Sequence, residues 1–250
     1  MKLSVVIPAY NEEGSISETL DSLFSVLQRE GIEHEIVVVD DNSRDKTNQV
    51  LVEKAKTIPT IKIVTNRGPN GFGYAVRCGL DNFTGDCVAI MMADLSDDPE
   101  DLVRFYRQMV NGNTDCVFGS RWMRGGKVYD YPLLKRVLNR IFNTMVQVMF
   151  RIRYNDMTNA FKLYNKKTIA GLKPFLSPHF NLTLELPLKA IVRGYTFAVV
   201  PNSWRNRKQG VSKLKIKEMG SRYFFILLYC LIEKRFGKGD FSKGKIQGSI

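Results

Sequence analysis

Along the first half of the chain, apolar residues fall in short, nearly unbroken runs separated by polar stretches with helical patterning. The runs "LSVVIP" (3 to 8), "HEIVVVD" (34 to 40), "IKIVT" (61 to 65), "CVAIMM" (87 to 92) and "DCVFG" (115 to 119) are rich in β-branched residues and predict strands. Continuous rather than alternating apolarity is what a strand covered on both faces requires. Between the runs, apolar positions recur at helical spacing. Ser15 to Glu18 has the form of a capping box, followed by Ile16, Leu20, Leu23, Phe24 and Leu27 on one face. Asp98-Pro99-Glu100-Asp101 reads as a helix start: a cap, a proline in the first turn and acid near the positive dipole end. This alternation predicts an α/β fold around a mainly parallel, doubly wound sheet. Such sheets bind ligands outside the carboxyl ends of their strands.

The pattern changes after Pro132. Leu134, Leu138, Ile141, Met145 and Met149 mark one helix up to Phe150, with Lys135, Arg136 and Arg140 among them. A short strand near 158 to 164, a helix near 181 to 193 and a strand near 195 to 201 follow. A basic loop, "NRKQGVSKLKIK", then leads into an aromatic, apolar helix flanked by Lys and Arg. The Gly- and Lys-rich tail after Phe236 is expected to be disordered. The apolar run of "MKLSVVIPAY" is too short for a signal peptide and reads as a first strand. "YFFILLYCLI" (223 to 232) is about half the roughly 20 apolar residues that span a bilayer, so no crossing is expected.

Charge narrows the partners. With 37 Lys and Arg against 25 Asp and Glu, the net charge is +12. This favours a polyanion: nucleic acid, an anionic membrane face or a phosphorylated substrate. No nucleic-acid-binding module is recognisable, so nucleic acid is not an expected partner. Cys78, Cys87, Cys116 and Cys230 are scattered, without a CxxC pair, as in a reducing compartment.

The strand ends carry the chemistry. After the first comes "PAYNEE", after the second "DDNSRD", after the fourth "ADLSDD" and after the fifth "SRWMRGG". The dinucleotide fingerprint and the GxxxxGK[ST] phosphate loop are both absent, which argues against an NAD enzyme and a P-loop NTPase. A carboxylate-rich sheet edge that must still bind an anion suggests a divalent cation between them. Helix-cap and turn roles explain Asp45 and Asp98 well, but Asp40, Asp41 and Asp94 less so.

"VVIPAYNEE", "VVVDDNSRDKT", "GPNGFGYAVRCGL", "ADLSDDPEDL", "GSRWMRGG" and "VPNSWRNRKQGVSKL" occur in the order and spacing of a known family. Over residues 3 to 215 the chain resembles the polyprenyl-phosphate glycosyltransferases, the dolichol-phosphate mannose synthase-like branch of the inverting GT-A enzymes. The resemblance implies a GT-A fold over 1–215, with a 216–236 interfacial amphipathic helix and a 237–250 tail beyond it. It also implies a nucleotide-sugar donor (UDP- or GDP-linked), Mg²⁺ or Mn²⁺, and a polyprenyl phosphate acceptor. Pro8, Ala9, Tyr10, Glu12, Asp40, Asp41 and Ala93 would hold the donor, and Asp94, with Ser96, the metal. Arg121, Lys135, Arg207, Ser212 and Lys213 would meet the phosphates. Asp156 matches a carboxylate near the reacting centre, so that Asp94, Asp156 and Arg121 form the implied catalytic set. The implied location is peripheral, on the cytoplasmic face of a membrane, beside a separate membrane-spanning partner in some arrangements.

One position departs from the pattern. The family usually reads Asp-Ala-Asp-Leu-Gln where this chain has Met92-Ala93-Asp94-Leu95-Ser96. On an extended chain, residues two apart share a face, so Met92 is expected beside Asp94. A thioether is a poor partner for a hard cation. An unaltered reaction, an altered sugar preference and lost catalysis all remain open. Two alternatives therefore accompany lipid-phosphate glycosylation. One is transfer to a saccharide hydroxyl, with Asp156 or Glu185 as base. The other is a disabled nucleotide-sugar-binding relative.

Overall fold

The computed structural model describes residues 1–207 and 216–246. Strand and helix alternate as β1 (Leu3–Ala9), α1 (Ile16–Arg29), β2 (His34–Asp40), α2 (Thr47–Thr57), β3 (Ile61–Thr65), α3 (Phe72–Asn82), β4 (Cys87–Ile90), α4 (Pro99–Gly112) and β5 (Cys116–Ser120). Then follow β6 (Lys127–Tyr129), α5 (Leu133–Phe150), β7 (Lys162–Asn165), α6 (Lys166–Gly171), α7 (Leu182–Val192), β8 (Phe197–Pro201), β9 (Ser203–Arg205), α8 (Ile216–Phe236) and α9 (Lys243–Ile246). Among the described residues the main sheet has the order β3-β2-β1-β4-β7-β5-β8, and β6 pairs with β9 in a small second sheet.

Apolarity on both strand faces feeds two cores. Val6, Val37 and Val39 point into one, with α3, α7 and the inner sides of α5 and α8. Leu3, Val5, Ile7, Ile36 and Val38 point into the other, under α1 and α4. This is the two-residue period of a pleated strand used twice.

Among the described residues β7 is the one antiparallel strand of the main sheet, lying between β4 and β5. Because it runs backwards, it starts at the carboxyl edge. The loop 151–161 is thereby brought to the same edge as the ends of β1, β2, β4 and β5.

Several expectations need correction. β4 stops at Ile90, and Leu95 adopts a positive φ of 60°. Met92 thus lies beyond the strand and residues 93–95 form a bend, so the extended-chain argument pairing Met92 with Asp94 does not apply. Ser15 makes no capping bond. Its hydroxyl instead donates to the Ala93 carbonyl at 2.9 Å, and Thr19 Oγ1 does the same at 3.1 Å. Asp98 does cap α4, accepting from the Glu100 amide at 3.0 Å.

The outer helices also differ from a simple amphipathic pattern. α8 buries Ile226, Leu227 and Cys230, and its Glu233 pairs with Arg193 at the end of α7, Nε to Oε1 at 2.7 Å. It is therefore part of the main core and not an appended segment. Its outer side is apolar as well, with Phe224, Phe225, Leu228, Ile232 and Phe236 exposed. The tail expected to be disordered folds back as far as residue 246. Lys243 donates its amide to the Arg193 carbonyl at 2.9 Å and ion-pairs with Asp115.

Candidate active site

β1 and β2 end side by side. Ala9 is paired with Asp40, and the Asp41 amide donates to the Ala9 carbonyl at 2.8 Å. Both carboxylates are buried, and both organise turns. Asp40 accepts from the Ser43 amide at 2.9 Å and from Asn48 at 3.1 Å. Asp41 accepts from Asn66 at 2.6 Å and from the Gly71 amide at 2.8 Å. Gly71 is required here: its φ is +150°, and a Cβ would lie 2.9 Å from both the Pro178 carbonyl and His179. Pro8 and Tyr10 are half-buried beside this junction.

The turn after β4 is the second part. Ser15 and Thr19 on α1 grip the Ala93 carbonyl. Asp94 Oδ1 accepts from the Ser96 amide at 3.2 Å, and Asp94 Oδ2 accepts from Arg207 at 2.6 Å. The Arg207 guanidinium also lies 3.7 Å from Glu12. Glu12, Asp94 and Arg207 are thus brought together. Asp97 sits beneath them, accepting from the Met92 amide at 3.0 Å. Burial pushes the Asp97 carboxyl up to about 7, opposed by that bond and reinforced by the charge on Asp94. Trp204 of β9 bridges to Asp97, and the Arg205 amide donates to the Ser96 carbonyl at 3.0 Å. A cleft of about 630 Å³ opens beyond this turn, towards α4 and β9. It shares only Asp94 and Ser96 with the expected site residues.

The third part lies after β5. Arg121 is buried and grips Asp156 with two prongs: Nε to Oδ2 at 2.8 Å and Nη2 to Oδ1 at 2.7 Å. Its amide donates to Asp156 Oδ2 as well, at 2.9 Å. Burial opposes the guanidinium charge, but Asp156 outweighs it and the Arg121 pKa is raised. The guanidinium lies about 6 Å from the rings of Trp122, Tyr131 and Trp204. Lys135 is half-buried on the first turn of α5, yet it is the next residue, Arg136, that stacks on Trp122. Asp156 is fully buried in its ion pair. Glu185 is buried too, on Lys189 and the Leu176 and Ser177 amides. Both candidate bases are therefore held in buried ion pairs. Ser212 and Lys213 lie outside the described residues.

Residues 4–172 match the model of Glycosyl transferase family 2. The chain belongs to this family. It is 32% identical over 221 residues to a dolichol-phosphate mannosyltransferase of Pyrococcus furiosus, covering 87% of this chain and 60% of that one. It is 29% identical over 216 residues to a polyprenol monophosphomannose synthase of Mycolicibacterium smegmatis, covering 84% and 80%. The chain thus spans three fifths of the Pyrococcus relative and four fifths of the mycobacterial one.

The GT-A fold is shared with solved glucosyl-3-phosphoglycerate synthase from Mycobacterium tuberculosis. Its complex with Mn²⁺, uridine diphosphate and phosphoglyceric acid superposes with a TM-score of 0.71 at 18% identity, over 92% of this chain and 78% of that one. A further complex of that protein holds Mg²⁺ and uridine diphosphate.

In this family 2 transferase, the residues at Asp94 suit only one kind of metal site. Among the described residues no cluster of three His, Cys, Asp or Glu side chains could hold an ion. A hard cation of the Mg²⁺ type is held by one or two carboxylates, with substrate phosphates and water completing its shell. Asp94 fits an ion that arrives with a diphosphate and does not fit a standing protein cage.

The fold also brings together side chains that sequence reasoning did not connect. Trp122, Tyr131 and Trp204 enclose Arg121, and Arg140 joins Arg136 on Trp122 at 5.5 Å. The signal available was the absence of any Asp or Glu from Tyr131 through Asn155, a stretch holding Lys135, Arg136, Arg140, Arg151 and Arg153.

Proposed function

We propose that this family 2 transferase moves a sugar from a nucleoside-diphosphate donor to a polyprenyl phosphate at a membrane surface, with inversion at the anomeric carbon. The observation that carries the reading is the division of one sheet edge. Asp40 and Asp41 lie at the end of β2 and Asp94 lies just after β4, and a rim built on Arg121, Arg136 and Arg140 follows β5.

The base and ribose lie against Pro8, Ala9, Tyr10, Glu12, Asp40 and Asp41, and Asp94 with Ser96 would hold a divalent cation. When bound, that ion supplies positive charge against the departing diphosphate. Arg207 meets the same leaving group, exchanging its present partner Asp94 for phosphate oxygens. A phosphate monoester has a second pKa of about 6, so the acceptor is a dianion at neutral pH and needs no general base. This agrees with the burial of Asp156 and Glu185 in ion pairs, which leaves the hydroxyl-acceptor alternative without either of its named bases. In-line attack on an α-linked donor produces a β-linked sugar.

The membrane reading rests on α5. Leu133, Leu134, Val137, Leu138, Ile141, Met145 and Val148 form an exposed apolar face, with Leu133 75% and Val148 74% accessible. Lys135, Arg136 and Arg140 flank it, as on helices that lie in an anionic interface. No described helix is long and apolar enough to cross a membrane.

Labelled UDP- and GDP-sugars, Mn²⁺ and a polyprenyl phosphate should place label in the organic phase. Label appearing only in a soluble saccharide acceptor overturns the reading. Asp94→Asn is expected to lower turnover by about 10²-fold or more, the scale of losing one transition-state charge stabiliser. Full activity in that variant removes Asp94 from the mechanism.

A further inference from the structure

α5 and α8 run side by side and in the same direction. Phe142 and Tyr223 meet with ring centroids 5.4 Å apart, and further along Lys234 donates to the Phe150 carbonyl at 2.6 Å. Both helices turn their inner sides into one core. Near this shared end their outer residues are exposed, Val148 by 74% and Phe236 by 76%.

Where the two helices stop, a cavity of about 320 Å³ opens, lined by Met149, Arg151, Lys234 and Arg235. Among the described residues no acid lines it. Lys234 has a local task, capping α5 through the Phe150 carbonyl, and cations suit helix C-termini in general. That accounts for Lys234 but not for Arg151 and Arg235, neither of which has a carboxylate partner among the described residues.

The acids close by in sequence are engaged elsewhere. Glu233 is paired with Arg193 at 2.7 Å, Asp156 with Arg121 at 2.7 Å, and Asp240, in the turn beyond α8, has an interaction of its own. Asp130 and Glu218 lie at the opposite ends of α5 and α8, each roughly 25 Å away along its helix. The two helix C-termini contribute about half a negative charge each, so the three cations leave an excess of about two positive charges.

A cationic cavity bordered by exposed apolar residues suits an amphiphilic anion. Guanidinium forks match phosphate oxygens, and acyl chains would lie against the side that carries Val148 and Phe236. Arg136 and Arg151 are about 22 Å apart along α5. A helix with cations towards both ends and an apolar face between them is built to lie flat on an anionic surface.

We propose that Arg151 and Arg235, with Lys234 between them and α5, seat the phosphate of an anionic phospholipid headgroup, apart from the sheet edge where the reaction is placed. The inference rests on the proposed membrane-surface reading and adds a lipid chemistry to it. The test is co-sedimentation of the full chain with phosphatidylcholine vesicles, with and without phosphatidylglycerol. The wild type should bind the phosphatidylglycerol vesicles about tenfold more tightly or better. Arg151→Gln and Arg235→Gln should each weaken that binding about fivefold and together about twenty-five-fold, the scale of single basic residues at an anionic surface. Arg29→Gln with Lys56→Gln removes the same charge from α1 and α2, which pack on the other core, and should stay within about twofold of the wild type. Matching thermal melts report that the variants are folded.

An equal loss in the two double variants makes net charge the cause and overturns the seat. Inorganic phosphate that binds as tightly as the lipid, by isothermal titration, overturns the lipid as its occupant. A wild type that binds both kinds of vesicle equally overturns the seat and leaves the membrane reading standing. One that binds neither overturns both.

Discussion

Arg121 and Asp156 look alike in sequence to any other arginine and aspartate near a sheet edge, but their neighbours give them one task. Both are buried, so each is the condition for the other's charge. Asp156→Ala should cost about 3–5 kcal/mol, the scale for stranding one partner of a buried pair. A urea melt measures it, and a loss under about 1 kcal/mol would mean that water reaches the site. Asp94 is shared differently. With methionine at position 92, Asp94 is the carboxylate that Arg207 grips, and a divalent cation must compete for it. Arg207→Gln should therefore bind Mn²⁺ more tightly than the wild type in the absence of donor, as read by electron paramagnetic resonance. Equal or weaker binding would show that the two cations do not compete.

Helices and strands set which groups converge. The reversed β7 carries Asp156 to the edge where β5 delivers Arg121. α1 holds the Asp94 turn through two hydroxyls on one carbonyl, a tertiary use of what the capping pattern would make local. α5 is the element with the most to lose at its surface. Ile141 and Val148, 62% and 74% exposed, point away from the core that Val146 and Phe150 fill. The double variant Ile141→Glu, Val148→Glu should melt within about 0.5 kcal/mol of the wild type, as surface substitutions do. Its co-sedimentation with protein-free anionic vesicles should fall severalfold. Unchanged sedimentation would transfer the membrane role to the equally apolar outer side of α8.

For the molecule as a whole, the interior is less inert than its apolar strands suggest. Lys162, wholly buried beneath the loop 156–159, donates to the Met157 carbonyl at 3.0 Å and to the carbonyls of Asn159 and Thr183. Burial brings its pKa down to about 7, with Asp156 acting in the opposite sense. Its folded-state pKa is depressed, so the unfolded chain takes up a proton first. Stability is therefore lost as pH falls from about 10.5 to about 7 and levels off below that. Lys162→Met should be less stable near pH 10, with those carbonyls unpaired, and should lack this slope. Parallel wild-type and variant melts between pH 7 and 10 would refute the assignment. The net charge of +12 acts at longer range, drawing the chain to anionic surfaces in a salt-dependent way.

Strand runs, the cap at Asp98 and the carboxylates at or just after the ends of β1, β2 and β4 were legible along the chain, because local periodicity and capping depend on near neighbours. The six motifs also revealed the family, and with it the GT-A fold. What the order of residues left open was partnership. Whether Asp156 is a base or a counter-ion depends on Arg121, 35 positions away. Whether Ser15 caps a helix or holds the Asp94 turn depends on Ala93, 78 positions away. The two arginines on Trp122 were visible only as helix positions until α5 was laid across the end of β5. Charge and burial are properties of a neighbourhood in space, and only the packed sheet brings that neighbourhood into being.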